Sequence, residues 1–219
     1  MTTPASAREA VVAACRHLAA RGLSPGGSGN VSVRVGDDLL VTPTGSSLSR
    51  VRPEDLALVP VADAPGGGTV TGGGPRPSKE LPLHRAVYAA RPDARAVVHL
   101  HSPAAVAASC LDPAALPPEA ATGPLPATTP YQVMRLGDLP VAPFALPGST
   151  ELAAGVADRA GTAPVLLLAN HGSVVAGTHL DAAVDLAEEL EAAAQVVLLL
   201  HGVPHRRLTP AQVAALRSR

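Results

Sequence analysis

The chain is poor in rings. Tryptophan is absent, phenylalanine occurs once and tyrosine twice in 219 residues, so a core must be assembled from Ala, Val and Leu, and few aromatic faces remain for stacking nucleic-acid bases. Charge of either sign is unpronounced: 17 basic residues face 18 acidic ones, a net charge of −1, which leaves no electrostatic footprint for a polyanion. No nucleic-acid partner is expected. Long apolar runs are also missing; the stretches at 164–169 and 196–200 are far shorter than the roughly 20 residues that cross a bilayer, and no membrane span is expected. The opening Met1-Thr2-Thr3-Pro4-Ala5-Ser6 shows no basic segment leading into an apolar core, so the expectation is a cytoplasmic protein. Cys15 and Cys110 are too far apart for a metal-type pair and are expected as reduced core thiols. Lysine is the last scarcity. Lys79 is the one lysine in the chain, a compact point charge where every other base is a planar fork.

The length suits a single domain over residues 1–219. Apolar spacing predicts a helix over 6–21, then a Gly-rich loop over 24–30 that delivers the chain into a strand over 31–35. A return strand over 39–42 ends at Pro43-Thr44-Gly45-Ser46-Ser47, followed by a helical turn at 53–55 and a strand over 56–61. A helix is expected over 80–91, a strand closing on His99-Leu100-His101, and a short helix over 103–110 opened by Pro103. Further on, a strand is expected over 141–146, a helix over 149–160 capped by Ser149, and an apolar strand over 165–169. That strand stops at Asn170-His171-Gly172 and returns antiparallel over 173–176. A long helix over 180–201 and a short one over 210–217 finish the chain. The Gly- and Pro-rich stretch 63–77 reads as a surface hairpin or flexible loop, and 112–130, with repeated Pro and few charges, as a long excursion.

Three places join strand or helix ends to reactive side chains: Ser78-Lys79-Glu80, His99/His101 and His171. Residues i and i+2 of a strand share a face, so His99 and His101 present two imidazoles side by side. His171, at the end of another apolar strand, completes a three-ligand set with an open position if the two strand ends are neighbours in the sheet. Each of the three, taken alone, has the plain reading of an imidazole at a solvated strand or turn. Glu80 at a helix start is an ordinary first-turn acid by itself and a general acid/base beside a metal. His84, one turn along, is expected to pack or hydrogen-bond. The Gly-rich loops at 26–30 and 43–47 offer backbone N–H groups and hydroxyls that suit phosphate, and Ser78 and Lys79 complete such a site if the loops converge. Lys79 has a second reading as a Schiff-base nucleophile without metal. Tyr131 reads as a packing residue, with proton donation near the metal as its alternative; His17, His179, His201 and His205 have no partner spacing and read as structural.

Taken in order, Gly29-Asn30-Val31-Ser32-Val33-Arg34, Thr42-Pro43-Thr44-Gly45, Lys79-Glu80 with His84 and Tyr88, Arg91-Pro92-Asp93, His99-Leu100-His101-Ser102 and Asn170-His171-Gly172 resemble the class II aldolase/adducin family over nearly the whole chain. The resemblance implies an α/β fold, a three-layer α/β/α arrangement around a mainly antiparallel sheet. It also implies Zn²⁺ or another divalent metal, sugar-phosphate substrates, and a homotetramer with sites at subunit interfaces. It assigns the metal to His99, His101 and His171, acid/base work to Glu80, and phosphate to Asn30, Thr44, Gly45 and Ser78. Lys79 stands where the aldolases and the related pentulose-phosphate epimerase carry a second serine. That lysine, with Gly45-Ser46-Ser47-Leu48, the run 83–92 and Thr129-Pro130-Tyr131-Gln132-Val133-Met134-Arg135, is similar to the branch that decarboxylates 3-oxo-tetronate 4-phosphate, a phosphorylated sugar acid. In that branch Lys79, Glu80 and Tyr131 are the expected catalytic residues. Aldol cleavage of a fuculose-1-phosphate type substrate, 4-epimerisation, and a non-catalytic scaffold of the adducin kind are the competing expectations.

Overall fold

A computed structural model describes residues 4–62, 74–112 and 123–218. Seven strands form one sheet: β1 (Asn30–Val35), β2 (Asp38–Val41), β3 (Ala57–Pro60), β4 (Ala96–Leu100), β5 (Val141–Ala142), β6 (Val165–Leu168) and β7 (Gly172–Gly177), in the order β3-β2-β1-β4-β7-β6-β5. Every pairing is antiparallel except β5 with β6, as the resemblance implies. The helices are α1 (Pro4–Ala20), α2 (Leu81–Ala90), α3 (Pro103–Ser109), α4 (Pro130–Leu136), α5 (Thr150–Ala160), α6 (Leu180–Leu199) and α7 (Pro210–Arg217).

Alternation along the strands divides the interior into two layers. Val31, Val33, Ala96, Val98, Leu100, Val165 and Leu167 pack with α1, α3 and α6, whereas Val97, Leu166, Leu168, Val174 and Ala176 pack with α2 and α5. Both faces of the sheet are therefore covered, and β4 is buried at every position, which explains its continuous apolar run. The two cores are made of Ala, Val and Leu with Cys15 and Tyr88, as the scarcity of rings requires. By the same alternation His99 on β4 and Asn30 and Ser32 on β1 fall on the α2 face. Asn30 and His99 are direct cross-strand partners.

Several boundaries differ from the sequence expectation. The strand expected over 141–146 ends at Ala142 because Pro143 and Pro147 lack the N–H a ladder needs, and Phe144 and Leu146 turn outward, 62% and 70% exposed. Within the stretch read as an excursion, α4 begins instead: the Thr129 hydroxyl accepts from the Gln132 N–H at 3.2 Å, and Pro130 takes the first turn. The remaining expectations for 63–77 and 112–130 fall largely outside the described residues. Cys110 is exposed rather than in the core; Cys15 is fully buried, and burial pushes its thiol up to about 12. Among the described residues no helix is long and apolar enough to cross a membrane.

One buried acid organises α3. Glu191, 4% exposed on α6, accepts from the N–H groups of Ala104 and Ala105, each at 2.9 Å, so its carboxylate satisfies the first turn of the helix that follows His101. Glu191→Ala strands two buried donors and is expected to destabilise the fold by about 2–4 kcal/mol. Urea unfolding checks this, and an unchanged midpoint would show the cap to be immaterial.

Candidate metal centre and adjoining cavity

Four side chains meet at the open end of β4: Glu80, His99, His101 and His171, whose ligating atoms all lie within 4.8 Å of one another. Three segments supply them. The β4 end carries His99 and His101, with their Nε2 atoms 3.1 Å apart. The β6–β7 turn brings His171, the imidazole centroids standing 4.8–5.0 Å from one another. Its approach depends on Gly172: a Cβ there would fall 2.3 Å from the Leu100 carbonyl oxygen and 3.1 Å from the His101 ring, so only glycine lets the turn close on β4. Asn170 bends the chain just before it with φ 56°, a left-handed conformation asparagine tolerates. The third segment is the residue preceding α2, Glu80, with Oε2 at 3.2 Å from His99 Nε2 and Oε1 at 3.4 Å from His171 Nε2.

The donor set fits a divalent cation. His99 Nδ1–H donates to the Ser173 carbonyl oxygen at 2.8 Å, which fixes the tautomer and turns the Nε2 lone pair toward His101, as a ligating imidazole requires. Glu80 Oε1 and both ring nitrogens of His171 are buried without a hydrogen-bond partner, a state that buried polar atoms avoid unless something else satisfies them. Burial pushes His101 down to about 4, and burial followed by the influence of His99 lowers His171. Both imidazoles are neutral at physiological pH, with lone pairs free for a metal. Burial alone would raise the Glu80 carboxyl, yet the hydrogen bond and positive charge that His99 offers when protonated, the Asn30 amide and the charged form of His171 outweigh it and hold it well below the usual carboxylate range.

Beside this cluster lies a cavity of about 250 Å³ walled by segments 27–30, 43–46 and 78–80 together with His101, Pro147 and His171. The two Gly-rich loops therefore converge, as the phosphate reading needs, and Thr44, Gly45, Ser78 and the exposed Lys79 all border the space. Ser78 Oγ accepts from the Glu80 N–H at 3.2 Å, which leaves its own proton to donate. Asn30, assigned to phosphate by resemblance, also lines the cavity; one of its amide N–H groups donates to Glu80 Oε2 at 2.9 Å and its carbonyl meets His84. His84 hydrogen-bonds, as expected, and is fully buried. Tyr131 is not brought to the cavity; it stands 62% exposed on α4. Among the other histidines, His17 meets Glu188 and His179 caps α6. Two larger grooves, about 460 and 500 Å³, lie around the ends of α6 and α7 and contain none of the clustered ligands.

Sequence reasoning missed Glu191 altogether. The signal was present: it falls at the four-residue spacing from Ala187, inside the stripe Ala183-Ala187-Leu190-Ala194 that α6 buries, where an acid needs a partner.

Comparisons with known proteins give the family. The family described as Class II Aldolase and Adducin N-terminal domain matches residues 9–198. A 3-oxo-tetronate 4-phosphate decarboxylase of Haemophilus influenzae is 44% identical, covering 99% of both chains. An L-fuculose phosphate aldolase of the same organism is 35% identical over 87% of this chain and 81% of its own. Among solved structures, YgbL of Klebsiella pneumoniae superposes with a TM-score of 0.88 at 38% identity, covering 99% of this chain and 100% of its own. Fold, ligand cluster and sequence kinship together place this chain in the class II aldolase/adducin family.

Proposed function

We propose that the chain is a Zn²⁺-dependent carboxy-lyase that converts 3-oxo-tetronate 4-phosphate to dihydroxyacetone phosphate and CO2, and that it works in the cytoplasm. The observation that carries this reading is a three-imidazole, one-carboxylate cluster bordered by Lys79 and a hydroxyl- and glycine-walled cavity, in a chain nearer to the decarboxylase of H. influenzae than to the aldolase of the same organism. His99, His101 and His171 would hold the metal, which supplies Lewis acidity at the substrate's 3-oxo group.

The remaining work falls to the chain. Thr44, Gly45 and Ser78 bind the phosphate, and Lys79 adds a point charge to it. Pairing Lys79 with the departing carboxylate would stabilise the ground state instead, so the phosphate is its better partner. Breaking the C1–C2 bond releases CO2 and leaves its electron pair at C2 and the 3-oxygen; one proton added at C2 then completes the product. Glu80 delivers that proton. It begins ionised; the negative charge of the entering substrate raises its affinity for a proton in the desolvated site, so it takes one from water as the substrate binds and passes it to C2. The resemblance further implies a homotetramer, and Tyr131, exposed with Met134 on α4, would serve at a subunit interface and not in its own chain's cavity.

Purified protein loaded with Zn²⁺ is expected to release CO2 from 3-oxo-tetronate 4-phosphate. Cleavage of a ketose 1-phosphate in its place would transfer the assignment to aldolase, which reaches a similar enediolate by losing an aldehyde. Lys79→Ala is expected to raise KM by roughly 10- to 100-fold, the worth of one charged hydrogen bond. An unchanged KM would remove Lys79 from the phosphate site. Borohydride trapping is expected to fail, since the mechanism uses no Schiff base.

A further inference from the structure

Behind the cavity wall runs a line of buried polar groups that none of these steps uses. Ser32 on β1 and His84 on α2 are 0% exposed and Tyr88 is 3% exposed, on a face otherwise built of Leu, Val and Ala. Such groups are destabilising unless each finds a partner, and here they find one another. Tyr88 Oη lies 3.0 Å from Ser32 Oγ and 3.1 Å from the Ser32 carbonyl oxygen. Ser32 Oγ lies 2.7 Å from His84 Nδ1, and His84 Nε2 meets Asn30 Oδ1. The Asn30 amide then donates to Glu80 Oε2 at 2.9 Å.

One arrangement of protons satisfies the whole line. A carboxylate only accepts, so Asn30 must turn its NH2 to Glu80 and its carbonyl to His84. That carbonyl requires a proton on His84 Nε2, and the neutral ring leaves a lone pair at Nδ1. Ser32 therefore donates its hydroxyl proton to Nδ1, and Tyr88 donates to Ser32. Burial pushes His84 down to about 3 and raises the Tyr88 phenol, which keeps the ring neutral and the phenol protonated. Every hydrogen in the line points toward Glu80.

From this geometry we infer that Tyr88, Ser32 and His84 are positioning residues that lock the Asn30 amide, pin Glu80 by Oε2 and leave Oε1 as the oxygen that carries the proton. Oε1 is the carboxylate atom without a hydrogen-bond partner. The inference rests on the reading of Glu80 as acid/base and adds to it which of its oxygens works and what aims it. With the line broken, the amide is free to rotate, its carbonyl meets Oε2, and the two oxygens repel each other.

The direct test is the His84 tautomer, read from the imidazole ¹⁵N shifts of the full-length wild-type protein, with no substrate required. Protonation at Nε2 is expected, and protonation at Nδ1 would overturn the inference. The second test is kinetic. Ser32→Ala is expected to lower kcat by roughly 10- to 100-fold with KM and Zn²⁺ affinity within about twofold of wild type, and Ser32→Thr, which keeps the hydroxyl, is expected to restore kcat. Equal losses in kcat and metal affinity, or no loss in kcat, would reduce the line to packing. Should Ser32→Ala fail to fold, Tyr88→Phe removes only the outermost oxygen, with an expected fall in kcat of roughly threefold to tenfold; an unchanged kcat there has the same force against the inference. If the wild type turns over a ketose phosphate and not the 3-oxo acid, the decarboxylase reading falls, while the same variants on that substrate still decide the line.

Discussion

Glu80→Gln is expected to reduce kcat by roughly 10²- to 10⁴-fold, the usual contribution of a positioned acid/base, while leaving the metal bound. The substitution is nearly isosteric, so α2 and the cavity wall should be undisturbed. The amide oxygen can still accept from Asn30, which holds the native carboxylate at 2.9 Å. What disappears is the ability to carry a proton at the atom next to the substrate. Metal content measured on the same sample separates two roles. Retained Zn²⁺ with lost turnover identifies proton transfer; loss of both would make Glu80 a ligand, and unchanged turnover would place the acid/base elsewhere.

His101→Ala is expected to abolish both metal binding and activity. His99 and His101 bring their Nε2 atoms within 3.1 Å of each other, and His171 closes the third side; removing one imidazole leaves two ligands, too few for a stable Zn²⁺ site. Chelation should reproduce the loss in the wild type and Zn²⁺ should reverse it, whereas the variant should not respond. A variant that keeps both metal and turnover would refute the ligand set. Proton competition gives the same centre a pH signature. A metal takes the neutral imidazole, and a ring with a lowered pKa stays neutral to lower pH. With His101 down near 4 and His171 lowered as well, these two ligands should hold the metal through pH 6 and release it as the pH falls toward 4, measurable by equilibrium dialysis.

Much of this centre was legible in the sequence because its ligands end strands. The apolar run before His99 can only be a covered strand, and period-two alternation then puts both imidazoles on one face. His171 was legible for the same reason, though its proximity to β4 was not: that depends on β4–β7 pairing and on the space left at Gly172. The fold was readable wherever apolar periodicity was clean. It misled where proline carried two meanings. Pro143 cuts a strand short and Pro130 starts a helix, and only the capping Thr129 distinguishes the second case. The contacts of Asn30 were not legible: register places it opposite His99 and under α2, where its side chain bonds to Glu80 and His84, and no local pattern in the sequence announces that pairing.

The β4–β7 pairing also bears on when the protein becomes competent during synthesis. Glu80, His99 and His101 leave the ribosome early, but His171 is held by a turn whose second strand runs to Gly177, and that strand docks on β4 over residues 96–100. Contacts of such long sequence separation form late. A nascent chain that ends before His171 carries two of the three clustered imidazoles, and one that ends before Gly177 has not completed the β4–β7 pairing that holds the third, so metal capture should mark the closing stage of folding.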